Sequence, residues 1–152
     1  GSSAKADIGR SHGCDHVILY READFVAAVR QIAPHGVAAV FDGVGKDTFV
    51  PSLDCLRPLG LMVSFGNASG AVPPFSVGVL ASKGSLFLTR PTLATYVAKR
   101  EDLVTNAQEL FDVVLNGAVK INVNQTYALK DAVQAHRDLE GRKTTGSTVL
   151  TV

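Results

Sequence analysis

An α/β fold, doubly wound around a parallel sheet with helices on both faces, is the class this sequence predicts. Three observations predict it. Apolar runs alternate with segments of helical period in the order β-α-β-α-β, an irregular link, then β-α-α-β. Residues 37–41 are a continuous apolar run, of the kind that parallel sheets bury on both faces, and residues 61–65 read as the next strand. Glycine turns follow both strands, as Asp42-Gly43-Val44-Gly45 and Gly66-Asn67-Ala68-Ser69-Gly70.

The elements follow in order. Residues 4–11 read as the tail of a helix that Gly13 stops, and residues 17–20, Val-Ile-Leu-Tyr, as a short buried strand. Residues 22–32 place Phe25, Val26, Val29 and Ile32 at helical spacing, with acidic residues in the first turn and Pro34 and Gly36 beyond the end. After strand 37–41, residues 48–56 form an amphipathic helix with Pro51 in its first turn, and Pro58 and Gly60 follow it. Strand 61–65 comes next. Pro73-Pro74 opens an irregular stretch with a short helix near 77–82. Residues 85–90 make a fourth strand closed by Pro91. Residues 101–115 are the longest helix, with Leu103, Ala107, Leu110, Phe111 and Val114 on one face and Gly117 as its cap. Residues 119–127 are extended, 129–139 helical, and 147–152 a last β-branched strand.

Composition excludes several classes. With 46% hydrophobic and 19% charged residues, 152 residues suffice for one domain with a real core. A net charge of +1 supplies no general field for nucleic acid or an anionic membrane, so neither is expected as a partner. No apolar run approaches the roughly 18–20 residues that cross a bilayer, and the mixed pattern of residues 4–10 does not read as a signal peptide. Two cysteines, Cys14 and Cys55, are too few for a disulfide framework or a zinc site, which suits a cytoplasmic protein with reduced thiols.

The glycine motifs need weighing. Gly43-Val44-Gly45-Lys46-Asp47-Thr48 follows a strand and opens a helix, but lacks the third glycine of a dinucleotide fingerprint. A tight strand exit lining a cofactor cleft is the better reading. Gly141-Arg142-Lys143-Thr144-Thr145-Gly146 leads into a strand without a Gly-Lys-Ser/Thr ending, so it is no phosphate loop. His12, His16, His35 and His136 form no metal-binding spacing, and no Gly-x-Ser-x-Gly elbow supports a serine nucleophile. Lys5 stands where an adenosine ribose lies in a nucleotide fold. Ser2, Ser3 and Lys5 occupy that edge with no acid before Asp7, which favours a 2′-phosphate and hence NADP over NAD. Tyr20, ending the next strand, could stack on adenine or meet the phosphate. On the residues alone, a surface lysine and a core-edge tyrosine are the plainer readings.

The stretches Asp42-Gly43-Val44-Gly45, Ser52-Leu53-Asp54-Cys55-Leu56, residues 60–70 (GLMVSFGNASG) and 83–91 (KGSLFLTRP), with the tail YALKDA at 127–132 and AHRDLEGR at 135–142, resemble the NADPH:quinone oxidoreductases. These are the zinc-free, zeta-crystallin-like branch of the medium-chain dehydrogenase/reductase superfamily. The resemblance covers essentially the whole chain. It implies an incomplete Rossmann-like fold, with residues 1–152 a partial NADPH-binding domain. The first strand, its glycine-rich loop and the GroES-like catalytic domain are expected outside it. It implies hydride transfer from NADPH to a quinone or similar enone, without a metal and without a catalytic residue in this part.

Site residues follow from the same resemblance. Lys5, Tyr20 and Arg142 would hold the adenosine 2′-phosphate, and Gly1, Ser2 and Ser3 would meet the same ribose. Val44 would lie over the adenine side, and Phe65, Gly66 and Asn67 near the nicotinamide ribose. Leu88, Thr89, Arg90 and Pro91 would meet the carboxamide. Strand 85–89 would pair with its copy in a homodimer. A helix N-terminus with its amides supplies charge-assisted hydrogen bonds of roughly 1.5–3 kcal/mol each, and a micromolar dinucleotide site has about 8 kcal/mol in total. The chain alone is therefore expected to bind NADPH weakly and to be inactive. The alternatives are a non-catalytic nucleotide-binding or dimerisation module, or the nucleotide domain of an enoyl reductase or zinc alcohol dehydrogenase.

Overall fold

The computed structural model describes residues 2–152, in two compact units, one ending at Tyr96 and the other Val97–Val152. The first unit contains α1 (Ser3–Ser11), α2 (Phe25–Ile32), β1 (Val37–Asp42), α3 (Phe49–Asp54), β2 (Leu56–Ser64), α4 (Gly78–Ser82), β3 (Phe87–Thr89) and α5 (Leu93–Tyr96). Its strands form a parallel sheet in the order β1-β2-β3. The α/β class therefore holds.

Local chemistry sets the helix starts. Ser2 caps α1, its hydroxyl accepting from the Lys5 amide at 3.4 Å. Asp24 caps α2, its carboxylate accepting from the amides of Val26 and Ala27 at 2.9 and 3.1 Å, a device that typically stabilises by about 1 kcal/mol. Pro51 sits in the first turn of α3, where its missing N–H breaks no helical bond. The core of this unit is Phe49, Leu53, Leu56, Met62 and Leu86, with Phe75 tilted against Phe49 at a centroid distance of 5.1 Å. Arg30 ties α2 to the start of β2 by donating to the carbonyls of Asp54 (3.0 Å) and Leu56 (3.1 Å).

β1 and β2 do not run in simple register. While β1 advances from Val37 to Ala39, β2 advances from Leu56 to Leu61. The extra residues bulge out at Leu59, which adopts φ 59° and donates its N–H to Gly84 at 2.8 Å.

Two expectations fail in this unit. Residues 17–20 are not a strand: they have no ladder partner among the described residues, and the Tyr20 amide donates to Ile18 in a local turn instead. A run of apolar residues becomes a strand only where another strand supplies the second half of the ladder. β1 is also not buried on both faces, since Phe41 is 72% exposed. It is the outer strand of this sheet.

The second unit contains α6 (Arg100–Leu115), β4 (Val123–Ala128), a 3₁₀ turn (Leu129–Asp131), α7 (Ala132–Glu140) and β5 (Ser147–Thr151). β4 and β5 pair in parallel with each other. The described residues thus form two parallel sheets, where the element order alone suggested one. The expected helix 129–139 splits into a 3₁₀ turn and α7. Gly117 follows α6 with φ 78°, the left-handed ending that glycine permits.

Tyr127 donates its hydroxyl to Asp138 at 3.0 Å, and Lys143 donates to the other oxygen at 3.2 Å. Hydrogen bonds from Gln134, Lys143 and Tyr127 hold the Asp138 carboxyl below the usual carboxylate range, and the bond to Asp138 pushes the Tyr127 phenol up. The Asp138 contribution is therefore present above the unfolded carboxylate pKa and is lost as pH falls through the lowered folded value. The Tyr127 contribution is lost only as pH rises through its raised value. Asp138→Asn should flatten the acid limb of a melting-temperature profile between pH 6 and pH 3. An unchanged acid limb would show that the cluster does not contribute.

The two thiols differ. Burial pushes the Cys55 thiol up, against the lowering effect of the Arg30 charge, whereas Cys14 is exposed. Thiolate is the reactive form. Brief native treatment with iodoacetamide should modify the Cys14 peptide and leave the Cys55 peptide unmodified until denaturant is added, as peptide mass spectrometry would read. Equal native labelling would contradict the burial of Cys55.

Candidate functional site

The carboxyl ends of β1 and β2 carry two loops, residues 42–47 and 65–70, fastened to each other. Asp42 builds the first. Its carboxylate is buried and accepts from the amides of Val44 (2.7 Å) and Gly45 (3.0 Å) and from the Thr48 hydroxyl (2.9 and 3.0 Å to its two oxygens). One side chain thus fixes the strand exit and the approach to α3, in the manner of an Asx turn.

Backbone bonds join the loops. The Asp42 carbonyl accepts from Phe65 at 2.9 Å and Gly66 at 3.2 Å, Val44 accepts from the Ser69 amide at 2.8 Å, and Lys46 donates to Gly70 at 3.1 Å. The Ser69 hydroxyl adds a staple, donating to the Val44 carbonyl at 2.9 Å and accepting from the Asp47 amide at 3.0 Å. Glycine is required where the backbones touch. A Cβ on Gly66 would lie 2.4 Å from the Gly43 carbonyl oxygen, and one on Gly45, at φ 87°, would lie 2.7 Å from that of Gly70.

Two cavities adjoin these loops. The first, about 250 Å³, is mainly apolar and is lined by Tyr20, Phe25, Val40, Phe41 and Val44 with Ser52 at its wall. The second, about 560 Å³, lies over the ends of β2 and β3 and is lined by Ser64, Asn67, Pro73, Pro74, Leu88 and Arg90 among others. Arg90 closes its edge by donating to the Ser64 carbonyl at 2.7 Å. In open parallel sheets this carboxyl end is where ligands bind.

The structure brings some expected residues together. Tyr20 and Val44 share the first cavity, and Asn67, Leu88 and Arg90 share the second. Phe65 lies over Gly43, and Gly66 against it. Thr89 pairs with Val63 in the sheet, and Pro91 follows β3 half-buried. Ser2, Ser3 and Lys5 belong to the start of α1 and line neither cavity. Arg142 follows α7 in the second unit, with φ 58°. Gly1 lies outside the described residues. Sequence reasoning missed the roles of Asp42 and Ser69. The one available signal was an aspartate opening a Gly-x-Gly turn with a threonine six positions on. Among the described residues, no group of three or more His, Cys, Asp or Glu could hold a metal ion, and no helix is long and apolar enough to cross a membrane.

Known proteins share this arrangement. The chain is 49% identical to the quinone oxidoreductase of Salmonella typhimurium over 99% of its own length and 47% of that protein's. It is 43% identical to a 2-haloacrylate reductase of a Burkholderia species over 96% of its length and 44% of that protein's. The crystal structure of Escherichia coli quinone oxidoreductase complexed with NADPH superposes with a TM-score of 0.95 at 46% identity, covering all of this chain and 48% of that one. The chain spans about half the length of the relatives it matches, and its fold is the Rossmann-like α/β arrangement found in them. The family described as zinc-binding dehydrogenase matches residues 12–150, and the chain belongs to that family.

Proposed function

We propose that this chain is the cofactor-binding portion of an NADPH-dependent quinone oxidoreductase. The observation that carries the reading is the near-complete coverage of the chain by quinone oxidoreductases at 46–49% identity, one of them crystallised with NADPH. The two cavities at the carboxyl strand ends fit a dinucleotide, with apolar walls beside Tyr20 and Val44, and hydrogen-bond donors at Asn67 and Arg90. When bound, NADPH supplies a hydride, two electrons with a hydrogen nucleus, to the acceptor, and a solvent proton completes the reduced product. The chain's own work is to bind and orient.

The residue roles proposed are these. Lys5, Tyr20 and Arg142 hold the 2′-phosphate, with Gly1, Ser2 and Ser3 near the ribose. Val44 covers the adenine side, Phe65, Gly66 and Asn67 border the nicotinamide ribose, and Leu88 to Pro91 meet the carboxamide. A catalytic domain outside residues 1–152 supplies much of the acceptor site. β3 stands at the edge of its sheet with Phe87 60% exposed, which supports pairing with a second copy. A cytoplasmic location is part of the same proposal. The 43% identity to a 2-haloacrylate reductase favours an activated alkene as the second acceptor to try.

The test is NADPH consumption by the full-length protein with quinones and with 2-haloacrylates. Lys5→Ala and Arg142→Ala should each raise KM for NADPH about tenfold, the loss of one charge-assisted contact of roughly 1.5 kcal/mol, and leave KM for NADH unchanged. Equal effects on both cofactors would remove the 2′-phosphate assignment. Low-micromolar NADPH binding by residues 1–152 alone, measured by titration calorimetry, would overturn the dependence on an external glycine-rich loop.

A further inference from the structure

A third cavity opens at the opposite end of the first sheet, away from the two fastened loops. It measures about 590 Å³ and is lined by Arg30, Leu53, Asp54, Ser82, Lys83 and Gly84. These residues stand on the segments that lead into the amino ends of β1, β2 and β3. The bulge in β2 holds one wall. Leu59 donates its N–H to the Gly84 carbonyl at 2.8 Å, and a Cβ on Gly84 would lie 3.0 Å from the Pro58 Cα. Arg30 holds another wall. All three of its side-chain nitrogens donate to backbone carbonyls, those of Asp54, Pro34 and Leu56 at 3.0, 3.3 and 3.1 Å. A guanidinium carries five N–H donors in a rigid plane, so the plane is fixed and donors remain. Arg30 forms no ion pair with a carboxylate among the described residues.

Lys83 pairs with Asp54, and the two side chains are 25% and 44% exposed. Two cations thus share one carboxylate in this lining, and one positive charge is left over. Asp54 takes the Lys83 bond on Oδ1, and its Oδ2 makes no hydrogen bond among the described residues. The excess charge disfavours a cation, and Leu53 alone offers little to an apolar molecule. Guanidinium and ammonium groups on separate elements suit an oxoanion. The Asp54 oxygen adds a condition, because it repels a bare anionic oxygen and accepts from a hydroxyl. We propose that this cavity binds a phosphate group accompanied by a hydroxyl, either free hydrogen phosphate or a small hydroxylated phosphomonoester. Arg30 and Lys83 donate to the phosphate oxygens, and the hydroxyl donates to Asp54. The volume falls within the roughly 300–1,000 Å³ of small-molecule sites. The proposal is independent of the reductase reading, since the site shares no lining residue with the other two cavities.

Titration calorimetry of the full-length protein tests it, with NADPH present in excess and ionic strength held constant. The probes are inorganic phosphate, glycerol 3-phosphate and sulfate. Both phosphates should bind, and sulfate, which has no hydroxyl to offer Asp54, should bind at least about tenfold more weakly. Lys83→Met should weaken phosphate binding about tenfold, the loss of one charge-assisted contact. Asp54→Asn removes the repelling charge and keeps an acceptor oxygen, so it should tighten phosphate binding about tenfold. A misfolded variant cannot produce that gain. Tighter binding of glycerol 3-phosphate supports the site with an ester as its ligand, and tighter binding of inorganic phosphate supports it with the free ion. Heat from neither phosphate overturns the proposal. Affinity unchanged in both variants places the anion elsewhere and overturns it. Sulfate binding as tightly as phosphate reduces the effect to general anion attraction and overturns it as well.

Discussion

Replacing Asp42 with alanine is expected to destabilise the protein by about 3 kcal/mol, through two amide donors and one hydroxyl deprived of their shared acceptor at roughly 1–3 kcal/mol each when buried. Water reaching the half-buried Val44 amide offsets part of that cost, which places the sum toward the lower end. The Gly45 and Thr48 groups have no such relief, since both residues are buried. A loss of this size lowers the melting temperature of a domain this large by about 6–12 °C. It should also raise KM for NADPH in the full-length protein, because the strand exit that borders the first cavity loses its anchor. Asp42→Asn makes the comparison sharper. An amide keeps one oxygen for the Val44 and Gly45 amides and turns its nitrogen toward the Thr48 hydroxyl, so its cost should stay near 1 kcal/mol. Thermal melts of both variants decide it. An alanine variant within about 1 kcal/mol of the asparagine variant would mean that the aspartate does not organise the turn.

What the sequence revealed and what it concealed divide along the range of the interactions. The run at 37–41, the glycine turns and the helix stops at Pro34 and Gly117 are local signals, and the structure reproduces them, whereas the helix expected over 48–56 ends at Asp54 and Pro58 and Gly60, expected to follow it, lie inside β2, which begins at Leu56. Residues 17–20 are as apolar and β-branched as that run, yet they form no strand, because pairing is a property of two segments and only one is in view. The exposure of Phe41 has the same origin: an apolar run cannot state whether a second layer covers it. Asp42 was visible as a turn residue, but its buried acceptor role depends on where Thr48 arrives after the turn. The family motif pointed to these loops without stating what holds them together.

Gly66→Ala should be far more damaging than the same change at Gly43 or Gly70, costing about 3 kcal/mol and depriving the full-length protein of measurable NADPH saturation. The reason is steric. The new methyl carbon would lie 2.4 Å from the Gly43 oxygen and 2.7 Å from the Gly43 Cα. Both are backbone atoms of a turn that Asp42 pins, so neither can rotate away. Overpacking of a tight contact costs about 1–3 kcal/mol, and a contact with pinned backbone on both sides belongs at the top of that range. Two neighbouring glycines separate this cause from loss of flexibility. At Gly43 the added methyl would meet the Phe65 ring at 3.1 Å, and Phe65 is exposed, so the ring can swing out. At Gly70 it would meet only the Lys46 side chain at 3.5 Å, and the cost comes from φ 116°, about 1–2 kcal/mol for a residue with a side chain. If these glycines served flexibility alone, the three alanine variants would keep similar stability, each within about 1 kcal/mol of the wild type. Close backbone contact instead predicts Gly66→Ala as the worst of the three, with Gly43→Ala recovering as its ring moves. Denaturant unfolding of the three variants distinguishes the two accounts. Gly66→Ala unfolding at the midpoint of Gly43→Ala would leave the fastened loops without the steric origin assigned to them.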